Sequence, residues 1–205
     1  MQRRQSSKRH VLGEPRARFD EPVACSWIQH ATDGSVPHMA SRIEHSARYS
    51  KNVDAVHAAF TSEQYWKDRI AEIGGPGAAL AGIESANGTT RINLTQAIPA
   101  ENLPSIVTSV RPGDLVITRT ESWGPVTDGA IDGTFAAEVQ GTPAKIDGKV
   151  TVRNDGAGSA AAVEGEVEVK IPLFGGKIEG AIVEQLEKLL DSEDEFTQRW
   201  LDANH

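Results

Sequence analysis

The stretch Val167–Leu190, "VEVKIPLFGGKIEGAIVEQLEKLL", decides the fold. Its first residues alternate, with Val167, Val169 and Ile171 on one face and Glu168 and Lys170 on the other. That is the period of a half-buried strand. From Ile178 the spacing changes: Ile182, Val183, Leu186, Leu189 and Leu190 fall on one helical stripe, which Phe196 and Trp200 extend. Pro172 and the pair Gly175-Gly176 separate the two patterns and are expected to form a sharp turn. A phosphate-binding role for the glycines needs the rest of a phosphate-loop pattern, and that is missing. The chain therefore runs from a last strand into a long helix, about Gly176 to Leu201, sent back across a sheet.

Working outward, the preceding segments read as strands. "SRIEHSARYS" alternates cleanly, placing Ile43, His45, Ala47 and Tyr49 on one face. Ser50 is expected to cap a short helix carrying Val53, Val56 and Phe60. Thr61-Ser-Glu-Gln64 is a capping-box pattern for a second helix, with Tyr65, Trp66, Arg69, Ile70 and Ile73 at helical intervals. Leu80–Ala86 and Thr89–Ala97 flank Asn87-Gly88, a hairpin signal. Pro104–Ser109 reads as a short helical turn. Further strands are expected over Leu115–Trp123, Ala130–Gln140, Ala144–Arg153 and Ala160–Ile171, separated by turn residues. Their close spacing implies antiparallel pairing.

Composition sets outer limits. The chain has 205 residues, 39% hydrophobic and 24% charged, ordinary for a globular domain. Its net charge is −8, but residues 1–38 carry six Lys/Arg against four Asp/Glu, and the rest carry fifteen against twenty-five. The acidic body argues against nucleic acid as a partner, which requires basic surface. There is no apolar run long enough for an integral membrane segment. The basic start lacks the apolar core of a secretory signal, and Cys25 is the single cysteine, so the expected location is cytoplasmic. Residues 1–38 lack periodicity and are expected to be a disordered leader or an over-long start assignment, with the domain covering 39–205. Oligomeric state is not legible in the sequence.

The order strand, two short helices, six strands, long helix resembles the helix-grip fold of the START-like superfamily, also called SRPBCC. That superfamily includes birch-pollen-allergen-like proteins, lipid-transfer domains and polyketide cyclases. More narrowly, "SRIEHSARYSKNVDAVHAAFTSEQYWKDRI", "RTESWG", "IPLFGGKIEGAIVEQL" and "EFTQRWL" resemble an actinobacterial branch of unknown function. The implied class is α+β: a curved seven-stranded antiparallel sheet wrapped around a long C-terminal helix. The resemblance implies a hydrophobic small molecule or lipid held between sheet and helix.

Alternation gives the inner faces. Ile131, Gly133, Phe135, Ala137 and Val139 form one; Ala144, Ile146, Gly148, Val150 and Val152 the next; Val163, Gly165, Val167, Val169 and Ile171 the third. Each has a central glycine, which leaves room either for a ligand or for the helix to sit close. The expected ligand-binding wall comprises His45, Tyr49, Phe135, Ile146, Gly148 and Val163 from the strands. Phe60 and Trp66 from the short helices and Ile182 and Leu186 from the long one complete it. No metal spacing appears, no cofactor is implied, and no set of nucleophile and base stands out. His45 reads as a base, a ligand anchor or a hydrogen-bonded core histidine, and His57 has no obvious partner. Arg119 and Glu121 share a strand face, and an outward cross-strand ion pair is the cheaper arrangement. Asp191–Glu195, "DSEDE", reads as a solvated face, with Glu193 alone lying near the apolar stripe.

Function therefore reads as ligand carriage. A polyketide-cyclase-like enzyme using His45, Tyr49 or Arg119 is one alternative. An interaction domain whose core is filled by Phe135, Phe174, Phe196 and the tryptophans is the other. A chain shortened to start at Met39 should melt within a few degrees of the full-length protein. A large drop in the melting temperature would mean that residues 1–38 pack on the domain.

Overall fold

The computed structural model describes residues 40–204. The reading of residues 1–38 as a leader lies outside the described residues. The elements in chain order are β1 (Ser41–Tyr49), α1 (Val53–Phe60), α2 (Glu63–Ile73), β2 (Ala79–Ala86) and β3 (Thr89–Ile98). A turn of 3-10 helix (Ala100–Asn102) leads to α3 (Ser105–Val110). Then come β4 (Leu115–Trp123), β5 (Ala130–Val139), β6 (Ala144–Asp155), β7 (Gly158–Val169) and α4 (Gly175–Asn204). The seven strands form one antiparallel sheet in the order β1-β7-β6-β5-β4-β3-β2, and α4 packs against β1 and β7. This is the helix-grip arrangement expected from the sequence.

Local chemistry explains the boundaries, including those that the sequence reading misplaced. Asn52, not Ser50, caps α1, its side chain accepting from the Ala55 amide at 3.1 Å. Ser62, not Thr61, caps α2; Thr61 closes α1 instead, its hydroxyl donating to the His57 carbonyl. Asn87 and Gly88 both take positive φ, as do Asp128 and Gly129, and each pair turns tightly between strands. The turn before α4 is not made by the glycines. Leu173 takes the left-handed conformation, φ 68°, and leaves its side chain exposed, while Gly175 and Gly176 form the first turn of the helix.

The core has two parts. In the first, Val53, Val56, Phe60, Tyr65, Trp66, Trp123, Phe196 and Leu201 are buried under α1, α2 and the C-terminal half of α4. Rings stack there in succession: Phe60 lies 4.4 Å from Trp123 and 5.5 Å from Tyr65, and Tyr65 lies 5.6 Å from Phe196. In the second, Ile43, Val167, Val169 and Ile178 are buried, but Ile146, Ile182, Leu186 and Leu190 are only half-buried. The filled end is aromatic, and the loose end is aliphatic.

The central glycines do not create the open space. Gly148 and Gly165 are paired directly across β6 and β7, and Phe135 is the partner of Gly148 on β5. The tip of the Phe135 ring would lie 2.5 Å from a Cβ on Gly148 and 2.8 Å from one on Gly165. The Trp123 ring would lie 2.6 Å from a Cβ on Gly133. An aromatic ring thus occupies the volume that each glycine gives up. Gly148→Ala should lower stability by about 1–3 kcal/mol, because the methyl meets the Glu164 carbonyl as well as the ring. Denaturant titration of the variant checks this; an unchanged midpoint would mean that the ring moves aside freely.

Candidate functional site

A cavity of about 440 Å³ lies between the sheet and α4, within the loose part of the core. Its walls come from β1, β3–β7, α1, α2, α3 and the face of α4 that carries Ile178, Ile182, Leu186 and Leu189. Of the candidate residues, Tyr49, Phe60, Phe135, Ile146, Val163, Ile182 and Leu186 are in the wall. His45, Trp66 and Gly148 are not, for three separate reasons. The His45 ring is turned to Asp194, its Nε2 lying 2.6 Å from Oδ2. Trp66 is fully buried behind the wall, its indole N–H donating to the Phe60 carbonyl at 2.9 Å. Gly148 is covered by Phe135. His57 also has a partner, the Gly124 carbonyl 3.1 Å from its Nε2.

The deep end of the cavity is polar, and here the outward placement of Arg119 and Glu121 is overturned. Both point inward, because they share a face with Leu115, Ile117 and Trp123 and a strand cannot turn one pair of that face around. The cost of burial is offset by two further charges. Arg119 forks onto Glu193 at 2.7 and 3.2 Å and reaches Glu121 Oε1 at 2.6 Å. Arg69, from α2, pairs with the same Glu193 and lies 3.7 Å from Glu121 Oε1. The Arg69 guanidinium also stands 4.6 Å over the Trp66 ring. Two cations and two anions from α2, β4 and α4 thus form one buried group, with Arg69, Glu121 and Glu193 each less than a tenth exposed.

Each charge is held by its neighbours. Burial alone would raise the Glu193 carboxyl, but Arg119 and Arg69 outweigh it and bring it from 4.5 down to about 2. Burial would lower both arginines; Glu193 and Glu121 more than offset this and leave both above their ordinary value. Two phenols border the group. Burial, with Asp194 next in effect, raises Tyr49 well above 10, and its O–H donates to Asp194 Oδ1 at 2.6 Å. Burial pushes Tyr65 up to about 12; its oxygen shares a hydrogen bond with Thr197 at 2.8 Å. Within "DSEDE", Glu193 and Asp194 therefore face inward and only their neighbours are solvated. Arg69 and Asp194 were not identified as site residues from sequence. The usable signal for Arg69 was a cation on the apolar stripe of α2, beside Tyr65 and Trp66.

Among the described residues no group of three or more His, Cys, Asp or Glu is placed to hold a metal ion. No helix among them is long and apolar enough to cross a membrane.

Glu193→Gln should cost about 3–5 kcal/mol, since it leaves two buried guanidiniums short of a carboxylate. The same residue sets an acid limb. Its folded pKa lies below the unfolded value, so its contribution is fully present above about pH 4.5 and is lost as pH falls toward about 2. Denaturant midpoints measured across that window should fall more steeply for the parent than for Glu193→Gln. Parallel curves would remove Glu193 from the account.

Residues 44–201 match a family described as Protein of unknown function (DUF2505). An uncharacterized protein of Mycobacterium tuberculosis is 33% identical over 173 residues, covering 81% of this chain and 99% of that one. Among solved structures, a protein from Thermus thermophilus aligns with a TM-score of 0.52 at 15% identity, covering 80% of this chain and 100% of the other. The Zhui aromatase/cyclase of a Streptomyces species aligns with a TM-score of 0.50 at 10% identity, covering 80% and 94%. These structural likenesses agree with the helix-grip topology seen here. The chain is a member of the DUF2505 family.

Proposed function

We propose that the protein binds and carries an elongated hydrophobic small molecule or lipid in the cavity between the sheet and α4, without chemical turnover. The observation that carries this reading is the cavity itself: about 440 Å³, walled mainly by aliphatic side chains, in a domain whose other half is filled by aromatic rings. Apolar surface left unpacked at one end of an otherwise dense core is surface that a ligand can cover. Its presence also counts against an interaction domain with a filled core. Phe174, one of the expected plugs, is 43% exposed, while Phe135 and Phe196 pack on the sheet and on Tyr65.

An enzymatic reading rests on the polar groups that converge at the deep end. Arg69, Arg119 and Glu193 are engaged with one another, and Tyr49 holds its proton against Asp194. A general base needs a free, titratable group near working pH, and these residues are held away from it. Binding is therefore the reading that the site supports best.

Native mass spectrometry of the purified protein should reveal a co-purifying apolar molecule, and the emptied protein should take up Nile red. Leu186→Trp fills the cavity from the helix side. It should reduce Nile red uptake about tenfold or more while circular dichroism stays that of the parent. If the parent takes up no apolar probe and carries no small molecule, the carrier reading is wrong.

A further inference from the structure

Among the described residues two large hydrophobic side chains stand out in solvent, and they are neighbours: Leu173, 94% exposed, and Phe174, 43% exposed. They form the tip of the turn between β7 and α4. The Gly175 amide donates to the Ile171 carbonyl at 2.8 Å, and the Phe174 carbonyl accepts from the Lys177 and Ile178 amides at 3.1 and 3.0 Å. Pro172, Leu173 and Phe174 therefore project from a turn that is closed behind them. Leu173 takes φ 68°, a conformation that glycine adopts freely and a residue with a Cβ adopts at a cost. Neither packing nor backbone geometry favours a leucine there within a single chain.

The tip adjoins the cavity. Ile171 before it and Ile178 after it are both in the wall, as are Val107 and Val110 of α3, whereas Leu173 and Phe174 are not. Ile178 and Glu193 are about 22 Å apart along α4, at ~1.5 Å per residue, so the tip marks the end of the cavity away from the buried charges. Charge is also arranged around it. Glu168 is shared by Lys145 and Lys170 at 3.3 and 3.4 Å, and Glu179 is buried against the Val169 amide. Lys170 and Lys177 are exposed on either side of the tip. Exposed lysines thus flank an apolar point in a domain that is acidic over the rest of its length.

We infer that this tip docks on a lipid bilayer, with Leu173 and Phe174 entering the acyl boundary and Lys170 and Lys177 lying beside anionic headgroups. Area decides between a bilayer and a protein partner. A stable protein interface buries about 800 Å² on each side, far more than two adjacent side chains at one turn supply. A bilayer accepts any apolar point that reaches it, and basic residues beside that point add attraction to anionic lipids. The acidic body does not prevent an end-on approach, since exposed charges more than about 8 Å from the surface are screened at physiological salt. Two side chains and two charges give weak, reversible attachment, as suits a carrier that must leave again. Docking stands on the tip itself; passage of a ligand between bilayer and cavity rests on the carrier reading above.

Co-sedimentation of the full-length protein with phosphatidylcholine vesicles, with and without phosphatidylglycerol, tests the inference. The parent should bind both, and more tightly when phosphatidylglycerol is present. Leu173→Asn supplies a polar residue that tolerates the left-handed conformation. Its denaturant midpoint should stay near the parent's while its vesicle affinity falls about tenfold. Lys177→Glu should weaken binding to the anionic vesicles about fivefold and leave binding to the neutral ones unchanged. Nile red uptake should be unaffected in both variants, because neither residue is in the cavity wall. Vesicle binding that survives in Leu173→Asn would belong to another surface, the basic residues 1–38 among them, and overturns the inference. So does absence of binding to both vesicles, or a dimer in sedimentation velocity that Leu173→Asn abolishes while vesicles stay unbound. Nile red uptake without vesicle binding leaves the carrier reading standing alone. Vesicle binding through Leu173 without Nile red uptake keeps the docking and removes the carriage.

Discussion

The joint between Arg69, Arg119, Glu121 and Glu193 is the constraint on which the rest of the domain depends. It links α2, β4 and α4, elements far apart in the chain, at the point where the aromatic core gives way to the cavity. Such a group is not a cheap source of stability, since replacement by apolar side chains of similar size is often neutral or better. Its effect is positional. The Arg119 fork fixes both the rotation of α4 and the face it turns to β4. From that rotation the rest follows: Phe196 and Thr197 meet Tyr65, Asp194 meets Tyr49 and His45, and Ile182 and Leu186 turn toward the sheet.

The helix is held at a second place as well. Near its start the buried Glu179 accepts from the Val169 amide at 2.7 Å and from the Ser41 hydroxyl at 3.1 Å. Between the two anchors, Ile182 to Leu190 cross the sheet through aliphatic side chains that are half-buried at best. A long helix pinned at two points can stand off the sheet between them without tilting into it. The cavity lies under that suspended middle.

Much of the fold was legible because its determinants are periodic. Alternation in β1 and β5–β7 gave their inward faces correctly, and the stripe on α4 identified the helix that covers the sheet. The candidate site was legible for its aliphatic and aromatic wall, and much less so for its polar end. A strand period states that Arg119 and Glu121 share a face with Trp123, but the cost of burying charge argued for the other face. The decision turned on Arg69 and Glu193, fifty or more residues away on either side in sequence, and pairing across such distances leaves no local mark. The caps failed for a smaller reason: Ser50, Asn52, Thr61 and Ser62 are all competent caps, and neighbouring packing chooses among them.

The glycines show most clearly how volume is shared within this core. Gly148 and Gly165 sit side by side, and a side chain on either would press on backbone. One ring, Phe135, covers both, so the sheet stays continuous and can bend there without a hole. Open space appears instead where the wall is made of small side chains, Ala137, Ala144 and Ala181, facing the aliphatic span of α4. An empty space of that size costs stability in proportion to its volume. The packed aromatic rings must supply enough to tolerate it, while the charged joint at the border between the two parts holds α4 in place. The domain is thus divided into a dense half that fixes the geometry and a loose half that stays under-packed. A ligand filling the loose half would gain the contacts that the protein leaves unmade there, which is why affinity and stability should rise together on binding.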